Sequence, residues 1–147
     1  MIRHILLLTT CLLFGATLTA QTNYDLMLKK ASSVKGLCGN YDRLILPKED
    51  GQPLVEVAKL SDDIYREAQV LQVLAEKSQN EPLIRLSMEL MWAVRYQLLP
   101  QTKMLATGEI SGGVGAGQVT EILERLSGNI RREIQQRSSN SKTDELK

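Results

Sequence analysis

Apolar residues recur every three or four positions through most of the chain, which is the spacing of one face of an α-helix. The first such series is Met27, Ala31, Val34, Cys38, Tyr41 and Ile45. It predicts a helix that Asn23 caps and that Gly36 and Gly39 weaken, since each glycine costs about 1 kcal/mol relative to alanine in a helix interior. We therefore expect this helix to break near Cys38.

Two further helices are predicted in the middle of the chain. After a turn at residues 47–52, Pro53 suits a first helical position and precedes the series Val57, Leu60, Ile64, Leu71 and Leu74. Asn80 can cap the next helix, because its side chain can accept from a backbone N–H of the first turn, and Pro82 is tolerated there. That helix carries Leu83, Leu86, Leu90 and Val94 on one face, and Pro100 is expected to kink or end it.

The last helix follows a segment of unusual composition. Residues 108–117 include five glycines, so we expect this to be the most mobile internal segment, and we expect a protease to cut either there or in the C-terminal tail. Beyond it, Val119, Ile122, Leu123, Leu126, Ile130 and Ile134 form a helix face, with Glu121–Arg125 and Glu133–Arg137 as ion pairs on its outside. The polar residues 138–147 are expected to be disordered.

These elements define the expected fold class. No run alternates apolar and polar residues as a half-buried strand does. We predict an all-α protein, an antiparallel up-and-down bundle of about four helices in one domain at residues 21–137.

The N-terminus has the pattern of a secretory leader. Arg3 precedes an apolar stretch at residues 5–13, and small residues follow as far as Ala20. The pattern predicts a signal peptide at residues 1–20, cut after Ala20, and a periplasmic or secreted protein. The alternative, an uncleaved anchor, is disfavoured because the apolar stretch is shorter than the ~20 residues that a spanning helix needs.

Removal of the leader limits the chemistry of the mature chain. It takes away His4, the only histidine, and Cys11, one of two cysteines. Without histidine there can be no Ser–His or Cys–His pair and none of the usual haem, zinc or di-iron sites, so we expect no cofactor and no metal. Cys38 is then a lone thiol, interpreted as a buried apolar residue, with an intermolecular disulfide as the alternative.

The net charge of the mature chain limits the class of molecule that it is expected to bind. One of the 18 basic residues lies in the leader, which leaves 17 basic against 17 acidic residues in the mature chain. A net charge of zero argues against nucleic acid or anionic lipid as the main partner. The acidic residues Glu56, Asp62, Asp63 and Glu67 are interpreted as a solvated helix face rather than a metal site.

The third predicted helix carries the most informative cluster. At 100° per residue, Arg85, Glu89, Trp92 and Tyr96 fall in one narrow stripe nearly opposite Leu83, Leu90 and Val94, and Met88 and Arg95 flank that stripe. Trp, Tyr, Met and Arg are enriched at protein interfaces, so we predict that Arg85, Glu89, Trp92, Arg95 and Tyr96 form a binding surface. The alternative is a helix that is simply covered on both sides.

Two classes of function remain open from the sequence. The first is an exported interaction protein that binds another envelope or secreted protein, such as a secretion-system accessory subunit, a chaperone or an inhibitor, with self-association also open. The second is an enzyme. Secreted helical chorismate mutases work with arginines, a lysine and a carboxamide, without histidine. The groups available here for such chemistry are Arg43, Lys59, Arg85, Glu89 and Arg95, although their spacing does not match that family's pattern.

Overall fold

The chain is an all-α helical bundle, as predicted. A computed structural model describes the backbone of residues 2–45, 54–110 and 117–144, and the side chains of residues 22–45, 54–110 and 117–138. The α-helices are α1 (Ile2–Ile45), α2 (Leu54–Lys77), α3 (Glu81–Ala93), α4 (Leu99–Thr107) and α5 (Gly117–Asp144). A π turn at Val94–Leu98 joins α3 to α4, so these three segments form one helical run. The described residues contain no strand.

Helix α1 runs without interruption past both glycines. The predicted apolar series from Met27 to Ile45 is buried throughout. The expected break near Cys38 is wrong because the packing of this buried face outweighs the modest cost of Gly36 and Gly39. The expected start at Asn23 is also wrong, since α1 begins at Ile2 and Asn23 lies within it.

The connection between α2 and α3 matches its prediction closely. The Asn80 side chain accepts a hydrogen bond from the Leu83 N–H at 3.4 Å, and Pro82 lies in the first turn, where its missing N–H costs nothing. Gln79 takes a left-handed conformation, with φ 53°, which lets the chain reverse within a short turn. The start predicted at Pro53 lies outside the described residues.

The helical run contains a π turn just before Pro100, and Pro100 does not end it. Because proline has no N–H, it cannot donate to the carbonyl of Tyr96, and the regular ladder fails just before it. Leu99 donates instead to the Val94 carbonyl, five residues back. The run then continues as α4 until Gly108, whose φ of 75° closes the C-terminus.

The helices alternate in direction around the bundle. Helices α1 and α3 each pack against both α2 and α5. The ion pair Lys30–Glu67, 2.9 Å long, and the hydrogen bond from Thr120 to Asp42, 2.6 Å long, join α1 to its two antiparallel neighbours. Helix α5 extends to Asp144, beyond the expected end at Arg137. The segment predicted to be most mobile lies largely outside the described residues, at 111–116.

The interior is apolar with a small polar contact near one end. Tyr41 is fully buried, and its hydroxyl oxygen lies 2.8 Å from the Thr102 hydroxyl, which in turn donates to the Leu98 carbonyl at 2.9 Å. Among the described residues, no helix is long and apolar enough to cross a membrane.

Candidate functional site

The α3 helix, the π turn and α4 together form the third helical run of the bundle. A row of large apolar side chains lies on the outer side of this run. Met88 is 54% exposed, Trp92 56%, Tyr96 65% and Met104 38%. We call these four residues the Trp92 row. The aromatic rings of Trp92 and Tyr96 contact each other, with centroids 5.5 Å apart and planes inclined by 42°. Large apolar side chains that are exposed together on one helix are typical of a contact site.

The row lies outside because the inner face of the helix is complete without it. Leu83, Leu90 and Val94 are fully buried in the core. Trp92 is nearly opposite them around the helix axis, so its side chain has no room in the interior. Its exposure agrees with the prediction that the tryptophan lies away from the main apolar face.

The π turn decides which residues complete the row. A π turn holds about one more residue than an α-helical turn, so it shifts the following positions back by roughly 100° around the axis. In an unbroken α-helix Met104 would lie well to one side of Trp92. The shift caused by the π turn places Met104 on the same outer face of the run as Trp92.

Beside the row, an open groove runs between α3 and α5, with a volume of about 650 Å³. Its floor contains apolar side chains from both helices, and its edges carry charges of both signs. The third helical run contributes Glu81, Ile84, Arg85, Met88, Glu89, Trp92, Ala93 and Gln97, and α5 contributes Ile122, Arg125 and Leu126.

The charged residues at the edge of the groove are held only weakly by ion pairs with one another. Arg85 and Glu89 are 4.0 Å apart and both are well exposed, so their pairing is worth a few tenths of a kcal/mol. The predicted pair of Arg125 with Glu121 is not formed, whereas Glu133 and Arg137 do pair, at 3.0 Å. Arg125 instead lines the groove.

The structure brings together four of the five predicted binding residues. Arg85, Glu89 and Trp92 line the groove, and Tyr96 packs on Trp92. Arg95 lies apart from them. Its guanidinium sits 5.8 Å from the centre of the Tyr65 ring on α2, and its Nη2 lies 3.4 Å from the Tyr65 hydroxyl.

The groups considered for catalysis do not converge. Arg43 and Lys59 line a different groove, between α1 and α2, together with Glu56 and Asp63. Arg85 and Glu89 are at the α3–α5 groove, and Arg95 is at α2. The five candidate groups therefore occupy three separate places on the part of the chain that the structure describes.

Two of the four acidic residues considered on α2 form ion pairs. Asp63 pairs with Arg66 at 3.5 Å, and Glu67 pairs with Lys30 of α1 at 2.9 Å. The described residues contain no group of three His, Cys, Asp or Glu side chains that could hold a metal ion.

Cys38 is a buried thiol, in agreement with its interpretation as a core residue. Burial, together with the negative charges of Glu124 and Asp42, raises its pKa to about 12. The thiolate, which is the reactive form, is therefore strongly disfavoured.

Sequence reasoning did not find the part of the surface that α5 supplies. Ile122 and Leu126 were placed on the inner face of α5, and Arg125 was assigned to Glu121. Only the packing of α3 against α5 shows that these residues also border the groove. No local pattern of α5 distinguishes a core-facing residue from one at the edge of a groove.

Fold and surface together define an all-α bundle protein with an open aromatic face. Comparison of the chain with protein-family models, with curated proteins and with solved structures finds no match.

Proposed function

We propose that this chain is an exported helical protein that acts by binding another protein of the cell envelope or exterior through the outer face of α3. The observation that carries the proposal is the exposure of Trp92, the only tryptophan in the sequence, and its contact with Tyr96, which is also exposed. Large aromatic residues that are exposed to solvent and do not pack in the core commonly serve as anchors of protein interfaces.

The surroundings of Trp92 support the same function. An interface is usually an apolar centre with a polar rim, and here Met88, Trp92 and the groove floor are bordered by Arg85, Glu89 and Arg125. The rim carries both signs of charge, which suits a protein partner better than a polyanion.

Site-specific crosslinking tests the interaction. A photoreactive residue with a large aromatic side chain, which keeps a ring at the position, is expected to capture a partner in the intact cell when it replaces Trp92, whereas the same residue at Val55 is not. Val55 on α2 is 85% exposed, so it controls for simple accessibility. Trp92→Ala should abolish capture by a crosslinker placed at Gln97. Equal capture from positions 55 and 92 would contradict the proposal.

The proposed export has its own test. The pattern of Arg3, the apolar stretch and the small residues up to Ala20 supports cleavage of a signal peptide. Mass spectrometry of the protein recovered outside the cytoplasm should find a chain that begins within a residue or two of position 21. Recovery of a chain that still begins with Met1 would show that the predicted cleavage after Ala20 is wrong.

A further inference from the structure

The Trp92 row has the dimensions of a helix–helix contact. Four of the eight large apolar side chains that are exposed among the described residues belong to it, so the exposed apolar surface is concentrated on one helical run. From Met88 to Met104 the row is about 24 Å long, at 1.5 Å per residue. Its width is that of a single helix face, which another helix can cover.

We propose that the Trp92 row pairs with the same row of a second copy of the chain, antiparallel, about a two-fold axis at Trp92. This inference rests on the proposed function of the face as a contact surface, and it names the partner of the free protein. In this register Trp92 meets Trp92 of the second copy, and Met88 lies level with its Tyr96. Sulfur–aromatic contacts of this kind are favourable.

The charges of the run match in the same register. It carries five charged side chains, all exposed: Glu81, Arg85, Glu89, Arg95 and Lys103. With Trp92 on the axis, Glu89 lies level with Arg95 of the second copy, and Glu81 lies level with its Lys103. Symmetry repeats each match, because both copies use the same patch. Arg85 lies level with an uncharged residue and keeps Glu89 as its neighbour.

Other arrangements of the two helices match the charges less well. In a parallel pair every charged residue lies level with its own copy, so all five meet a like charge. An antiparallel pair centred on Arg85 sets it against itself and sets Glu81 against Glu89. Every other antiparallel register matches at most one kind of opposite pair. Among the antiparallel registers, the one that sets Trp92 against its own copy is thus also the only one that matches both kinds of opposite charge.

The pair is expected to be weak and reversible. One helix face buries less than the roughly 800 Å² per partner of a standard interface, so we expect a dissociation constant on the order of micromolar. Arg95 must also leave its position over the Tyr65 ring to approach Glu89 of the second copy. A partner protein that binds the same face would have to compete with this dimer.

The first test is the molar mass of the exported protein in solution. Sedimentation equilibrium between about 1 and 500 µM is expected to show a monomer–dimer equilibrium, and Trp92→Ala should weaken it about 30-fold. Val55→Ala, at an exposed apolar position on α2, should leave it unchanged. Far-UV circular dichroism of each variant verifies that the fold is retained.

Charge reversal tests the register. Glu89→Arg alone and Arg95→Glu alone each set like charges level with one another, so each variant by itself should dimerise at least about 10-fold more weakly. An equimolar mixture of the two variants should restore pairing, because each then supplies the charge that the other needs. Asp62→Arg, on the exposed side of α2, makes the same change in net charge as Glu89→Arg and should have no effect on dimerisation.

Each outcome decides the proposal. A chain that stays monomeric at about 500 µM would overturn it, and so would a dimer that persists undiminished in Trp92→Ala. A dimer that the mixture fails to restore would overturn the antiparallel register. If the chain is monomeric but a crosslinker at position 92 still captures another protein, the proposed function stands and only the pairing of two copies is wrong.

Discussion

Tyr41 and Trp92 are both large aromatic residues in the same bundle, and they differ in almost every physical respect. The Tyr41 side chain is fully buried, whereas that of Trp92 is 56% exposed. Tyr41 also has its polar atom satisfied, since its hydroxyl lies 2.8 Å from that of Thr102. The comparison shows that an aromatic residue at helical spacing stabilises the fold only where neighbouring helices enclose it.

The surroundings of the two residues differ in the same way. Tyr41 lies between Cys38 and Asp42 on α1, where burial raises the pKa of all three groups above their ordinary values. Trp92 lies beside Arg85 and Glu89, which remain well exposed. The interior therefore disfavours charged groups, whereas Arg85 and Glu89 on the outer face remain exposed to solvent.

The largest expected difference is in stability. Tyr41→Ala should lower the free energy of unfolding by about 3–5 kcal/mol, because it leaves a cavity and removes a hydrogen-bond partner of Thr102. Tyr96→Ala, at a position 65% exposed, should cost less than about 1 kcal/mol. Urea unfolding of both variants measures the difference. If both variants lost the same free energy of unfolding, the assignment of Tyr41 to the core and of Tyr96 to the surface would be wrong.

Thiol reactivity should separate the same two regions. With its pKa raised to about 12, Cys38 is expected to react with a maleimide at pH 8 on the order of a thousandfold more slowly than an unperturbed thiol. A thiol introduced by Trp92→Cys should react at close to the ordinary rate. Denaturant should remove the difference. Rapid labelling of Cys38 in the folded protein would place α1 outside the core.

Trp92→Ala is expected to have a smaller effect on the fold than on binding. At concentrations where the chain is monomeric, it should change the free energy of unfolding by less than about 1 kcal/mol. If Trp92 were a core residue, the same substitution would cost about 3–5 kcal/mol. Thermal unfolding decides between these values. Emission of the parent protein should be red-shifted and readily quenched by acrylamide, and blue-shifted emission resistant to quenching would refute the exposed position.

The smallest expected effect is a pH dependence at Asp42. Burial raises the pKa of its carboxyl, and the hydrogen bond from Thr120 lowers it in part. Because the folded state favours the protonated form, this group lowers stability as pH rises from about 3.9 through its raised pKa. Asp42→Asn should therefore be more stable above that range, by less than about 0.5 kcal/mol, since water screens the partly exposed charge. A variant less stable than the parent at pH 7 would contradict this sign.

The sequence predicted the helices well where burial is regular along one element. The periods of α1 and α2 and the Asn80 cap depend on residues within a few positions of each other, and local rules are sufficient for them. The break expected near Cys38 is wrong because local rules weigh the cost of Gly36 and Gly39 but not the packing of α1 on α2 and α5.

By itself, the sequence determined that the chain is all-α and that Trp92 lies opposite the core-forming face of its helix. Tertiary structure decided the rest of the candidate site. Helix α5 packs beside α3 and so forms the groove, and Arg95 contacts the Tyr65 ring on α2. The π turn places Met104 on the outer face of its helical run. The physical reason is that periodicity orders residues around one helix axis, whereas a surface between helices depends on which helices are neighbours and on how the ladder adjusts around Pro100.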